Sequence, residues 1–190
     1  MIELTDIITE ATAAIERGYY HLPIHGGDPV YRERVYCYEL YHQMRSRWPK
    51  DCNFALNGEV DKAAHPILRK LGVDHKIPDF LVHKPGDMRG NHAIIEVKKT
   101  KTSNKGIRKD ISTLDTFVRK VGYQRAIYLL VGHASDDCLE TIQSVAGRFD
   151  ELVPIEIWFH SKVGEPATLN ITLQRNANSE LIVTHHNHDT

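Results

Sequence analysis

Between Pro78 and Lys99 apolar and polar residues alternate on both sides of a polar turn. The two-residue period of a strand puts Phe80, Val82, Ile95 and Val97 on one face and Asp79, Glu96 and Lys98 on the other. Pro85, Gly86 and Gly90 supply a hairpin loop of moderate length. If His83 and His92 are the last facing pair, counting back along both strands sets Asp79 opposite Glu96. Facing residues of antiparallel strands project to the same side, with Cβ atoms roughly 5 Å apart. Two carboxylates that close call for a cation or a proton between them. A paired ribbon with acids on one face is therefore the constraint the rest of the chain must accommodate.

The rest is adequate to cover it. Of 190 residues, 41% are hydrophobic and 26% charged, an ordinary balance for a soluble globular protein of about one domain. That domain divides into an N-terminal helix and loop (1–28), a motif-bearing core (29–131) and a C-terminal helix with strands (132–190). Apolar runs such as Ala126–Val131 are far too short to cross a membrane. The first residues, Met1-Ile2-Glu3-Leu4-Thr5-Asp6, carry neither a basic nor an apolar export segment, so a cytoplasmic protein is expected. Cys37, Cys52 and Cys138 show no metal-binding spacing and read as reduced thiols. With a net charge of −1, a polyanion would have to be met by a local patch.

Helical spacing over 3–17 ends at Gly18, and Tyr19–Asp28 reads as a loop. Asp28-Pro29 has the form of a helix N-cap followed by a first-turn proline, opening a helix that Pro49 stops after Trp48. Cys52, Phe54 and Leu56 alternate as a strand ending near Asn57-Gly58, and Glu59 and Asp61 follow within reach of the hairpin. His65–Lys76 reads as a loop or short helix. Beyond the hairpin come a helix over Ser103–Val121, a strand over Arg125–Val131 apolar enough to be covered on both sides, a helix over Asp136–Arg148 and a strand over Val153–Phe159. A closing hairpin spans Thr168–Gln174 and Leu181–His185. The expected class is α/β, a central mixed sheet flanked by helices.

Hydrolysis of a phosphodiester requires an activated water and neutralisation of growing negative charge. Hard divalent cations held by carboxylates provide both, and a lysine beside them orients the water or offsets the phosphorane charge. Asp79, Glu96 and Lys98 form such a set, Lys98 as base or electrostatic stabiliser, with the Val97 backbone carbonyl between them as a further oxygen donor. The segments Pro78-Asp79-Phe80 and Glu96-Val97-Lys98 resemble the PD-(D/E)xK motif of restriction-endonuclease-like nucleases. The resemblance covers roughly Pro29–Val131 and implies a restriction-endonuclease-like core cutting DNA with Mg²⁺ or Mn²⁺, often in phage defence, restriction or repair. In that family a helix glutamate precedes the motif. Glu39, in Cys37-Tyr38-Glu39-Leu40-Tyr41-His42, lies where it would be expected, as a metal ligand or water anchor; Glu59 is the other candidate for an additional ligand.

Lys99, Lys101, Lys105, Arg108 and Lys109 follow the motif and would contact the phosphates of a bound strand without reading sequence. Taken alone they equally suit a solvated charge run. Asp110, on the helix that follows, reads either as a plain surface charge or as a partner supporting the site. Twelve histidines offer no metal-ligand spacing; His185, His186 and His188 read as a solvated tail. No DNA-reading motif is present, so target selection would need loops, a homodimer or a partner protein. The competing reading is a non-catalytic, nuclease-like module that binds nucleic acid or serves assembly.

Overall fold

The computed structural model describes residues 3–60, 66–176 and 178–186. Its helices are α1 (Leu4–Ala13), α2 (Arg17–Tyr20), α3 (Glu33–Ser46), α4 (Pro66–Lys70), α5 (Asn104–Thr116) and α6 (Asp136–Ala146). Strands β1 (Leu22–Ile24) and β2 (Gly27–Val30) form a small separate ribbon. Strands β3 (Ala55–Gly58), β4 (Phe80–His83), β5 (Asn91–Lys99), β6 (Arg125–Val131), β7 (Ile155–His160), β8 (Thr168–Arg175) and β9 (Leu181–His185) make one seven-stranded sheet in chain order. Only β5–β6 and β6–β7 are parallel, and these are the two steps that need a crossover helix, α5 and α6. The molecule is thus α/β, with a mixed sheet between helices.

Both faces of the sheet are covered. Phe80, Val82, Ile95, Val97 and Leu129 pack with Leu4, Ile8, Tyr36, Leu40 and Met44 from α1 and α3. Leu81, Ile94, Tyr128 and Leu130 pack with Ile107, Ile111 and Leu114 of α5 and Ile142 and Val145 of α6. This explains why β6 is apolar from Ala126 to Val131. It also means that the acid face of the hairpin is roofed by α5.

The hairpin register holds where it matters. Phe80 pairs with Ile95, Leu81 with Ile94 and Val82 with Ala93, the alignment that sets Asp79 opposite Glu96. It shifts at the turn, where His83 faces Asn91 and not His92. Asn91 is buried and its side-chain N–H₂ donates to the Val121 carbonyl at 2.8 Å, which takes the position expected for His92.

Other boundaries move for physical reasons. Asp28-Pro29 does not open a helix. It lies in β2, where a proline's fixed φ suits an extended edge, and Gly26, at φ 75°, makes the turn into it. The helix begins instead at Glu33, after Arg32. Gly18 does not end α1 but sits inside α2. The long helix over Ser103–Val121 is α5 followed by a π-helical turn, Phe117–Val121, closed by left-handed Gly122. Ser103 and Ser135 cap α5 and α6 with their hydroxyls. No helix among the described residues is long and apolar enough to cross a membrane.

Candidate active site

The site forms where β4 parts from β5. Continued two residues past Phe80–Ile95, the ladder would bring Pro78 opposite Val97, and proline has no N–H to give. The Asp79 carboxylate fills the place instead: its Oδ2 accepts from the Val97 N–H at 2.7 Å. A residue's N–H and C=O leave a strand on the same side, so the Val97 carbonyl faces the same gap. The motif proline and aspartate thus open the sheet edge at one point. On its far side β5 stays locked to β6, Glu96 pairing with Tyr128 and Lys98 with Leu130.

Asp79 and Glu96 stand at facing positions of the hairpin, close enough for each carboxyl to act on the other. Glu96 is buried at 5% exposure. Burial, then the Asp79 and Asp110 charges, push its carboxyl well above the usual range, with the Lys109 charge opposing. Asp79 is pushed up to about 6, first by burial, while the Val97 N–H pulls the other way. The pair behaves as expected of crowded, dehydrated carboxylates.

Lys98 completes the cluster. Its ammonium donates to both Glu33 oxygens, at 3.0 and 2.8 Å, and stands 3.7 Å from Asp110 Oδ2. Burial alone would lower the Lys98 ammonium, but the Glu33 hydrogen bond and the charges of Asp110, Glu33 and Asp79 outweigh it and hold it raised. Asp110 is 1% exposed; Oδ2 accepts from the Tyr128 hydroxyl at 3.2 Å, while Oδ1 has no partner among the described residues. Burial raises its carboxyl, against the pull of Lys98 and Lys109.

Glu39, expected in the site, is not there: it accepts from Gln43 Nε2 at 2.6 Å, one turn further along α3. Because the helix starts at Glu33 rather than Pro29, the end of α3 that meets Lys98 carries Glu33. Glu59 donates its backbone N–H to the Asp79 carbonyl at 3.0 Å, but its carboxylate pairs with Arg34 at 3.5 Å. Asp61 and His188 lie outside the described residues. Asp110 is no surface charge; it falls on the inward stripe of Ile107, Ile111 and Leu114, a signal the helical period already carried. Glu33 had no such signal, since it depended on where the helix began.

The cations divide. Lys99 and Lys101 line a cavity of about 590 Å³ with Tyr20, His21, Tyr31 and His133, outside the carboxyl ends of β5 and β6. Open α/β sheets usually bind ligands at that end. There β5 and β6 come so close that a Cβ on Gly132, at φ 123°, would stand 2.5 Å from Thr100 Oγ1. Lys109 is near enough to act on Glu96 and Asp110. Arg108 lies over the Phe149 ring at 5.9 Å, away from the acids, and Lys105 is exposed on the first turn of α5. His83 is tied to Asn57, and His186 to Thr172 at 2.9 Å.

Among the described residues no three His, Cys, Asp or Glu side chains converge on one metal position; Glu33 and Asp110 gather round Lys98. Compared with protein-family models, curated proteins and solved structures, the chain matches none.

Proposed function

We propose that this chain is a divalent-cation-dependent nuclease with a restriction-endonuclease-like core, hydrolysing phosphodiester bonds of DNA. The observation that carries the reading is the Asp79–Glu96 contact at the opened sheet edge, one residue from the Val97 carbonyl and two from Lys98. The donors fit Mg²⁺ or Mn²⁺: hard oxygens, two of them carboxylates crowded enough to need a cation or proton, near Asp110, whose buried Oδ1 has no partner among the described residues. Asp79, Glu96 and the Val97 carbonyl would hold the ion, which when bound supplies Lewis acidity and an activated water.

The residues divide the remaining work. Asp79 keeps its carboxylate aimed at the gap through the Val97 N–H. Lys98, donating to Glu33 and ion-paired with Asp110, carries its proton and so acts by offsetting phosphorane charge rather than as a base. Glu33 and Asp110 position it from opposite sides of the sheet edge. Lys99 and Lys101 draw the strand along the neighbouring cavity through its phosphates.

Cleavage of plasmid and labelled oligonucleotides in Mg²⁺ and in Mn²⁺ tests this. The wild type should cut, and Asp79→Asn and Lys98→Ala should not while keeping the wild-type circular dichroism. Salt-sensitive binding without cutting, indifferent to the cation and to Lys98→Ala, would leave a non-catalytic module instead.

A further inference from the structure

A second cavity adjoins Asp79 on the side away from the lysines. It has a volume of about 430 Å³, lies between α3 and β3, and is lined by Tyr38, Tyr41, Asn57, Gly58 and Glu59 as well as Asp79 itself. That size falls in the ~300–1,000 Å³ range of pockets that hold small organic groups. Its wall is aromatic: Tyr41 stacks on Phe80 with ring centroids 6.4 Å apart and planes 17° apart, fixed by a hydroxyl bond to the Leu56 carbonyl. Tyr38 is the most exposed large apolar side chain among the described residues, at 62%. Polar groups sit at the edge. His83 Nε2 and Asn57 Oδ1 hold each other at 2.8 Å, which orients the Asn57 amide, and the Glu59 carboxylate is steadied by Arg34. Gly58 adds no side chain to fill the space.

An exposed planar ring, a flat apolar wall and a few fixed polar groups are what an unpaired base requires, since every base offers a π-face to stack and an edge to hydrogen-bond. The cavity shares Asp79 with the reacting centre, so its occupant belongs to the strand at that centre. We propose that this cavity is a nucleobase pocket, in which Tyr38 stacks on an unpaired base next to the phosphodiester held at Asp79 and Glu96. This rests on the nuclease reading and sharpens it: the preferred substrate is single-stranded. A single strand supplies an unpaired base without cost, whereas a duplex must first be unstacked and opened.

The test uses labelled single strands carrying one abasic site, moved position by position past the cut, in single-turnover cleavage with Mn²⁺. One position, at a fixed distance from the cut, should lower the rate roughly ten-fold. Tyr38→Ala should lose a similar factor on the intact strand and nothing more on that abasic strand, and Tyr38→Trp should recover it. Equal rates for every abasic position would overturn the proposal, as would a Tyr38→Ala loss that is the same on both strands. If the wild type cuts nothing, the nuclease reading fails, and anisotropy binding of the same strands decides the pocket alone. A ten-fold abasic penalty, lost in Tyr38→Ala, supports it; equal binding overturns it. A duplex bound as tightly as the single strand would overturn the single-strand assignment.

Discussion

The two ends of β5 solve the burial of polar groups in opposite ways. At the turn end Asn91 is buried and neutral, bonded to the Val121 carbonyl. Near the other end Glu96 is equally buried, but its neighbours Asp79 and Asp110 are acids and raise its carboxyl. One end is satisfied by the fold alone. The other is satisfied only by protons or by something that binds. Buried like charges reduce stability, so their concentration at one opened sheet edge is the pattern that the proposed cation site would account for.

The largest expected effect separates the two ends by activity. Asp79→Asn or Lys98→Ala should lower cleavage on the order of 10²–10³-fold, measured as single-turnover rates, while Asn91→Ala leaves the rate of the folded fraction unchanged. A comparable loss in Asn91→Ala would mean that β5 works as one unit. In stability the ranking reverses. Asn91→Ala leaves the Val121 carbonyl unpaired and should cost about 1–3 kcal/mol in urea unfolding. Glu96→Gln in metal-free buffer should raise stability by roughly 0.5–2 kcal/mol, because it removes a crowded buried acid.

His160 offers a buried titratable group away from the acids. Its Nδ1 lies 2.8 Å from the Tyr36 hydroxyl and the Tyr20 hydroxyl donates to its carbonyl. Burial lowers its imidazole from the ordinary 6.5 to about 4, against a weaker pull from the Lys162 and Glu165 backbone. Between those values the unfolded chain binds the extra proton, so this contribution is full above pH 6.5 and is lost as pH falls toward 4. The loss should amount to about 3 kcal/mol, read as the difference in unfolding free energy between wild type and His160→Gln across that range. Parallel pH curves for the two proteins would show that the ring is not buried neutral. The smallest effect is at Glu39. Glu39→Ala should change stability and cleavage by less than about 0.5 kcal/mol, whereas Glu33→Ala, which frees Lys98, should slow cleavage measurably.

The sheet was legible where its pattern was local. The alternation across Phe80–Val97 set the register that Phe80–Ile95 and Leu81–Ile94 keep, and the apolar run at Arg125–Val131 marked β6 to the residue. Asp79, Glu96 and Lys98 came together for the same reason, since facing positions follow from register alone. Glu33 escaped because Asp28-Pro29 has the form of a helix start, whereas the helix begins after Arg32, which makes no side-chain cap bond and so carries no capping signal. Asp110 was only half legible: its charge suits a surface and its place on the inner stripe of α5 suits the core, and the position of Lys98 beneath that helix explains a buried acid there. The pocket beside Asp79 is built from α3, β3 and the hairpin together, and no one of these segments carries it in sequence.

The most direct measurement is titration calorimetry of Mg²⁺ and Mn²⁺ into the metal-free protein, wild type beside Asp79→Ala and Glu39→Ala. The expected result is binding in the wild type and in Glu39→Ala that disappears in Asp79→Ala, with the thermal midpoint rising only where the ion binds. Binding that persists in Asp79→Ala, or no binding in the wild type, would contradict the claim that the Asp79–Glu96 edge is a cation site.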